Sequence, residues 1–322
     1  MDRELDEFKS GIDLRQYAAE MGYTFDKRES WRGSAVMRQG ADKIVIKRDS
    51  DGHYVYFSVR DDRDHGTIID FIANRKRLSL GEMRKELRRW TGRPEISHSA
   101  FPVLAITAKD RLAVEAEYQR MRDAPRHPYL ERGRRLPGVL LASRRFAGRI
   151  KTDHRGNAVF PHFDEQGLCG YEMKNWHFTG FAKGGEKGLW LSHTRPDDMC
   201  LVFAESAIDA LSYAALHPHE QSRYASLGGT PNPKQPALIA AKIALMPNGA
   251  EIISAMDCDP AGRGLSQLVH RAIEQSGRRD VSFRSHSPEP EGEDWNDVLK
   301  DRNVHSFPAA RPLAPRWPNP GL

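Results

Sequence analysis

CLVFAESAIDALSYAAL (Cys200–Leu216) and EIISAMDCDPAG (Glu251–Gly262) together decide the fold of this chain. Four apolar residues, Leu201–Ala204, lead into Glu205, and an Ala/Leu-rich helical pattern follows. That order places the carboxylate where a buried parallel strand turns into a helix, the edge at which α/β sheets carry out chemistry. Ile252–Met256 forms a second apolar run that ends at Asp257 and Asp259, two apart and therefore on one side of the strand, before Pro260 and Gly262 break the chain. Three carboxylates then converge, and clustered hard oxygens are what Mg²⁺ or Mn²⁺ requires. The alternative is purely structural, with Glu205 capping a helix and the Asp pair forming a turn.

ESAID (Glu205–Asp209), SLGGTPN (Ser226–Asn232), DCD (Asp257–Asp259) and EDWNDVL (Glu293–Leu299) resemble, in this order and spacing, the successive motifs of a TOPRIM domain. Bacterial-type primases, type IA and II topoisomerases and some nucleases share that domain. The resemblance implies a Rossmann-like parallel sheet and a catalytic set of Glu205, Asp257 and Asp259. The same three would bind the divalent ion, with Asp209 and Asp294 as further ligands. Two positions depart from the family. Ser206 replaces the usual Gly, where a missing side chain lets backbone approach substrate. Asn296 replaces one of two Asp in the last motif, and an amide supplies no charge, so a peripheral metal or nucleotide contact is expected to be weaker.

Upstream, GNAVFPHFDEQGLCGYEMKNWHFTGFAKGGEKGLWLS (Gly156–Ser192) shows paired strands around Asp164–Gly167, a hairpin signature. Phe160-Pro161, Asp164, Gly167, Gly170-Tyr171 and Lys174 resemble the basic subdomain that precedes TOPRIM in primase cores. By that resemblance Lys174, Lys183 and Lys187 meet the triphosphate, as point charges without the fork of Arg. Trp176, Phe178 and Phe181 interleave with these lysines, which suits base stacking but equally suits a strand core. Between Arg120 and Lys151 ten Lys/Arg stand against two acids. Arg134, Arg135, Arg144, Arg145 and Arg149 within this stretch are expected to contact a phosphate backbone, unless they form a solvated face. Arg75–Arg93 carries a second cluster, eight basic residues against Glu82 and Glu86.

At the N-terminus, Ile12–Met21 reads as a short helix stopped by Gly22. KIVIK (Lys43–Lys47) and YVYFSV (Tyr54–Val59) read as strands, and His65–Gly92 as two helices with Ser79 capping the second. With Gly66, Asp70 and Phe71 in place, this region resembles the zinc-binding domain of bacterial-type primases. No Cys precedes Cys169, and His53 and His65 are too few to replace the missing ligands, so no zinc is expected. Cys169, Cys200 and Cys258 form no C-x-x-C pair and read as reduced thiols.

The 322 residues exceed a single core, and 39% hydrophobic with 29% charged residues indicates a globular chain. The fold class expected is α/β (α+β multidomain): a TOPRIM sheet preceded by a basic α+β subdomain and a small zinc-less α+β N-terminal domain. The divisions are 1–94, a linker and helix over 95–126, 127–198, 199–305 and a Pro-rich tail over 306–322, which holds five of the twenty prolines. Neither a signal peptide nor an apolar run long enough to span a membrane is visible, which predicts a cytoplasmic location. The absence of G-K-[ST] argues against a P-loop motor, and no topoisomerase tyrosine stands out in a domain of its own. Most of the chain, residues 20 to 300, shares the likeness to compact primases of plasmids and other mobile elements. It implies a template-directed nucleotidyltransferase that uses NTPs or dNTPs on single-stranded DNA, with a helicase or relaxase of the same element as a further partner. A TOPRIM nuclease and a non-catalytic DNA-binding accessory are the alternatives.

Overall fold

The computed structural model describes residues 2–31, 33–49, 51–59, 64–91, 101–106 and 108–306, with side chains as far as 302. Residues 95–100 and 107 of the expected linker and the Pro-rich segment from 307 lie outside these residues. Three five-stranded sheets follow one another along the chain.

The first layer packs helices α1 (Arg3–Gly11) and α2 (Leu14–Glu20) on an antiparallel meander of β1 (Thr24–Trp31), β2 (Ser34–Gln39), β3 (Asp42–Arg48), β4 (Tyr54–Ser58) and β5 (His65–Thr67). Helices α3 (Ile68–Lys76) and α4 (Leu80–Arg88) complete it. Phe8, Tyr17, Met37, Ile44 and Phe71 fill its core. Burial of each such side chain contributes about 1.5–3 kcal/mol. His65–Thr67 is strand rather than the start of a helix, because the capping box between Thr67 and Asp70 sets the helix start at Ile68. Ser79 caps α4 through a second capping box with Glu82, as the sequence predicts.

The second layer begins with α5 (Arg111–Gln119), whose Val114 and Tyr118 pack on Val159 and Tyr171 of the next sheet. Its strands are β6 (Arg122–Asp123), β7 (Lys151–Thr152), β8 (Ala158–Asp164), β9 (Gly167–Asn175) and β10 (Phe178–Phe181). A π-helical turn at Tyr129–Gly133 and the short α6 (Gly138–Leu141) lie between β6 and β7. The β8–β9 hairpin closes at the Asp164–Gly167 pair, with Gly167 at φ 114°, a conformation that only Gly adopts readily. Across the register Lys174 faces Ala158 on one neighbour and Thr179 on the other. Glu172 and Lys174, two apart, thus share one face of the sheet.

The third layer is the expected α/β unit. Strands β11 (Trp190–Leu191), β12 (Cys200–Ala204), β13 (Ser222–Ser226), β14 (Glu251–Ala255) and β15 (Ser282–Ser285) are ordered β11-β13-β12-β14-β15. All neighbours run parallel except β11. All five residues of β12 are buried, which is why the sequence reads as an unbroken apolar run. Helices α7 (Ala207–Leu216) and α10 (Trp295–Ser306) cover one face, and α8 (Gln235–Ala244) and α9 (Pro260–Ser276) the other. The chain leaves β12 toward β13 and returns to β14 on the far side. That reversal between β12 and β14 is the switch point at which open α/β sheets bind ligands. Among the described residues no helix is long and apolar enough to cross a membrane.

Candidate active site

Backbone hydrogen bonds bring the four motifs of the third layer together in pairs. Gly228 and Gly229 both donate their N–H to the Glu205 carbonyl, at 2.8 and 3.1 Å. Both glycines have positive φ, 70° and 78°, so this turn forms without strain only with Gly. On the neighbouring strand Cys258 donates to the Glu293 carbonyl at 3.1 Å, and Gly292 donates to the Cys258 carbonyl at 2.7 Å. The DCD turn and the acidic EDWND segment are thereby stitched side by side. Gly262 is obligatory here, since a Cβ would lie 2.1 Å from the Asp257 carbonyl oxygen.

The result is a pocket beyond the C-terminal ends of β12 and β14. Glu205, Asp209, Asp257 and Asp294 line one wall, and Arg134, Glu172, Lys174 and Thr179 of the second layer line the other. Gly228, Gly229 and, from the first layer, His65 close it. Burial raises the Glu205 pKa, and Asp259 adds to the effect against the opposing pull of Lys174 and Lys187. Burial and Asp294 raise that of Asp209, and burial with Asp209 and Glu205 raises that of Asp257. Glu172 differs. Burial acts to raise it, but Lys174 and His162 prevail and hold it ionised, below the usual carboxylate range.

Ser206 does more than tolerate its position. Its hydroxyl accepts the Asp209 N–H at 3.2 Å as the α7 N-cap and donates to Asp209 Oδ2 at 2.6 Å, which fixes the carboxylate orientation. Asn296 is fully buried and donates from Nδ2 to the Arg134 carbonyl at 2.7 Å and to Ser212 Oγ at 2.9 Å. It ties α10 to α7 and to the loop that carries Arg134. Through Nδ2 the amide is a structural brace, and its buried Oδ1 has no hydrogen-bond partner.

Of the three carboxylates expected to act together, Glu205 and Asp257 line the pocket and Asp259 does not. Asp259 is the N-cap of α9, accepting the Gly262 N–H at 2.6 Å, so its charge reaches Glu205 while its side chain serves the helix. Asp209 and Asp294 stand in the lining. Glu205 Oε2 and Asp257 Oδ1 are buried with no hydrogen-bond partner. Buried carboxylate oxygens without donors, in a cluster whose members raise one another's pKa, suit a divalent cation. Against this, no three His, Cys, Asp or Glu among the described residues are already gathered closely enough to hold a metal. The donor chemistry fits, and the side chains would have to turn inward around an ion.

The expected lysines divide. Lys174 lines the pocket. Lys187 donates to the carbonyls of Gly228 at 2.8 Å and Thr230 at 3.1 Å, so it braces the glycine turn from behind. Lys183 lies over the Trp31 ring of the first layer, 5.4 Å from its centroid, and is not in the lining. The arginines divide likewise. Arg134 faces the pocket, while Arg135 and Arg144 are exposed. Arg145 is 8% exposed and forms a bidentate pair with Asp198 at 2.8 and 2.6 Å, with further bonds to the carbonyls of His193 and Glu220. A guanidinium buried in this way, with four of its five N–H donors engaged, holds β12 to the second layer and is not on offer to a phosphate backbone, which corrects its expected DNA contact. Arg149 lies half-buried over the Phe163 ring, and burial lowers its pKa. Much of the Arg75–Arg93 cluster is also consumed internally: Arg75 pairs with Asp64 and Asp42, Lys76 with Glu86, and Arg84 and Arg88 with Glu4.

Among the aromatics, Phe181 is partly buried against His162, whereas Trp176 and Phe178 are 53% and 37% exposed. Trp176 meets the Tyr129 ring edge-on at 5.6 Å, and Arg134 lies over that same ring. His65, Glu172 and Thr179 are pocket residues that the sequence reading missed. The i, i+2 spacing of Glu172 to Lys174 was a usable signal, and nothing near His65 was.

Residues 202–299 match the family described as Toprim-like, and residues 128–198 match one described as "Protein of unknown function (DUF3991)". No curated protein matches. Among solved structures, the primase fragment of the bacteriophage T7 primase-helicase protein is 14% identical, covers 81% of this chain and 92% of its own, and gives a TM-score of 0.37. A structure of bacteriophage T7 lagging-strand DNA polymerase with primase domains bound to an RNA/DNA hybrid and dTTP is 19% identical, covers 49% of this chain and 79% of that one, and gives 0.33. The family match and the sheet order agree with each other: the chain carries a Toprim-like α/β domain with acidic residues beyond its strand C-termini.

Proposed function

We propose that this chain is a primase-like, template-directed nucleotidyltransferase that makes primers on single-stranded DNA in the replication or transfer of a plasmid or other mobile element. The observation that carries this reading is the pocket between the second and third layers, with four carboxylates facing Arg134 and Lys174, the latter beside ionised Glu172, and with Lys187 behind the glycine turn. A nucleoside triphosphate brings several negative charges that need local compensation, whereas a scissile phosphodiester brings one. A nuclease needs the acidic wall. It has less use for the basic one.

Under this reading Lys174 and Arg134 bind and orient the phosphates, and the amides of Gly228 and Gly229, already committed to the Glu205 main-chain carbonyl, fix the backbone from which that carboxylate projects. Glu205, Asp209, Asp257 and Asp294 would hold divalent ions, whose chemistry when bound is to neutralise developing phosphate charge. Glu205 is also the candidate general base for the proton of an attacking hydroxyl. Ser206 keeps Asp209 from rotating away. Trp176, half-exposed and backed by Tyr129, offers a stacking surface for an unpaired base next to Arg134.

The test uses single-stranded circular DNA with labelled NTPs or dNTPs and Mg²⁺ or Mn²⁺, scored on one gel for synthesis and cleavage. Primer-length products are expected from wild type and none from Asp257→Asn or Glu205→Gln. Degradation of the circle without synthesis under either metal would replace this reading with a nuclease.

A further inference from the structure

The pocket lining includes one residue of the first layer, His65, 140 residues before Glu205 in the sequence. We infer that His65 is a substrate-contacting residue of this site, hydrogen-bonding a phosphate oxygen of the bound phosphate chain from beside the Gly228-Gly229 turn. This rests on the reading of the pocket as a phosphate site.

The placement of His65 is built rather than incidental. It sits on the three-residue edge strand β5, paired with Phe57 of β4. The residue before it, Asp64, accepts from Arg75 at 2.7 and 2.9 Å and from Asn74 at 2.9 Å, and its carbonyl accepts the Ser58 N–H at 2.7 Å. Two residues after it, the Thr67 N–H and hydroxyl both donate to Asp70 Oδ2, at 2.7 and 2.9 Å. The intervening Gly66 has φ 134°, and a Cβ there would lie 2.3 Å from that same Asp70 oxygen. The backbone of His65 is thus pinned on both sides.

The ring is directed at the glycine turn. A Cβ on Gly229 would lie 3.2 Å from both His65 Cε1 and Nε2, so the absence of a side chain at 229 leaves room for the imidazole edge. That turn is bonded to Glu205 and braced by Lys187. Burial, with Lys187 and Lys174 adding to it, lowers the His65 pKa and favours a neutral ring. A neutral imidazole keeps one N–H donor, enough for a phosphate oxygen, without adding a further charge.

The test uses the full chain labelled with ¹⁵N-histidine and inorganic tripolyphosphate with Mg²⁺ as the probe. The ring resonance missing from His65→Gln identifies the residue. Addition of the probe is expected to shift that resonance, and His65→Ala should weaken tripolyphosphate binding about three- to tenfold, the worth of one hydrogen bond. His65→Asn, which restores a donor, should recover part of the loss, with thermal midpoints of all variants near wild type. Binding by wild type with an unmoved His65 resonance and unchanged affinity in His65→Ala would overturn this inference and leave the pocket reading intact. Absence of binding by wild type would overturn both. A lowered thermal midpoint with unchanged affinity would show His65 to be packing alone, which also overturns it.

Discussion

Replacing Asp257 by Asn should stabilise the protein in the absence of divalent ions while abolishing activity. The pKa of Asp257 rises from 3.8 to about 10 in the folded chain, through burial first and then repulsion from Asp209 and Glu205. A carboxyl whose folded pKa is raised binds more protons folded than unfolded, so stability falls as pH climbs above 3.8 and continues to fall until the folded group ionises. At about 1.4 kcal/mol per pH unit, the full mismatch by pH 7 is about 4 kcal/mol if Asp257 bears it alone. The repulsion is shared with Glu205, Asp209 and Asp294, so removal of one member recovers about 2 kcal/mol, or roughly 5 °C in thermal midpoint. The assay is thermal or urea unfolding of wild type and Asp257→Asn between pH 4 and 8, with chelator and with Mg²⁺ or Mn²⁺. The difference should be near zero at pH 4 and largest at pH 7 to 8, and a divalent ion should stabilise wild type far more than the variant. A variant no more stable than wild type at pH 7.5, or equal stabilisation of both by Mg²⁺, would refute the view that this wall stores repulsion for a cation.

Asn296→Asp, which restores the family residue, should destabilise by about 2–4 kcal/mol and gain no activity, because a buried carboxylate cannot donate to the Arg134 carbonyl; urea unfolding with primer assays reads both. Arg145→Ala should lower stability by about 1–3 kcal/mol, since buried Asp198 loses its bidentate partner and keeps only Arg223 and the Arg195 N–H, whereas Arg135→Ala with Arg144→Ala should leave stability unchanged and reduce the salt slope of single-stranded DNA binding by about 0.7 for each phosphate that is no longer neutralised. Lys174→Ala should raise the KM for nucleotide well above any loss of template affinity, and Lys183→Ala, whose ammonium lies over Trp31, should not; steady-state kinetics beside a fluorescence binding titration separates the two.

The strand ends of the third layer were legible because a fully buried parallel strand has to be apolar throughout, and a carboxylate that interrupts such a run is conspicuous. The turns that stitch Glu205 to Gly228-Gly229 and Cys258 to Glu293 were legible only as motifs, since their hydrogen bonds join segments far apart in the chain. What composition concealed was the partner of each charge. Arg144 and Arg145 are adjacent and chemically identical, yet one is exposed and the other buried on Asp198, because their separation depends on where a distant acid falls in the fold. Asp257 and Asp259 present the same difficulty in reverse. Two residues apart, they would share a face only if the strand continued, and β14 ends at Ala255, so the intervening turn frees Asp259 to cap α9. A period-two argument holds as far as the strand does. Beyond it, the side chain goes to the nearest unsatisfied backbone N–H, and for Asp259 that donor is Gly262.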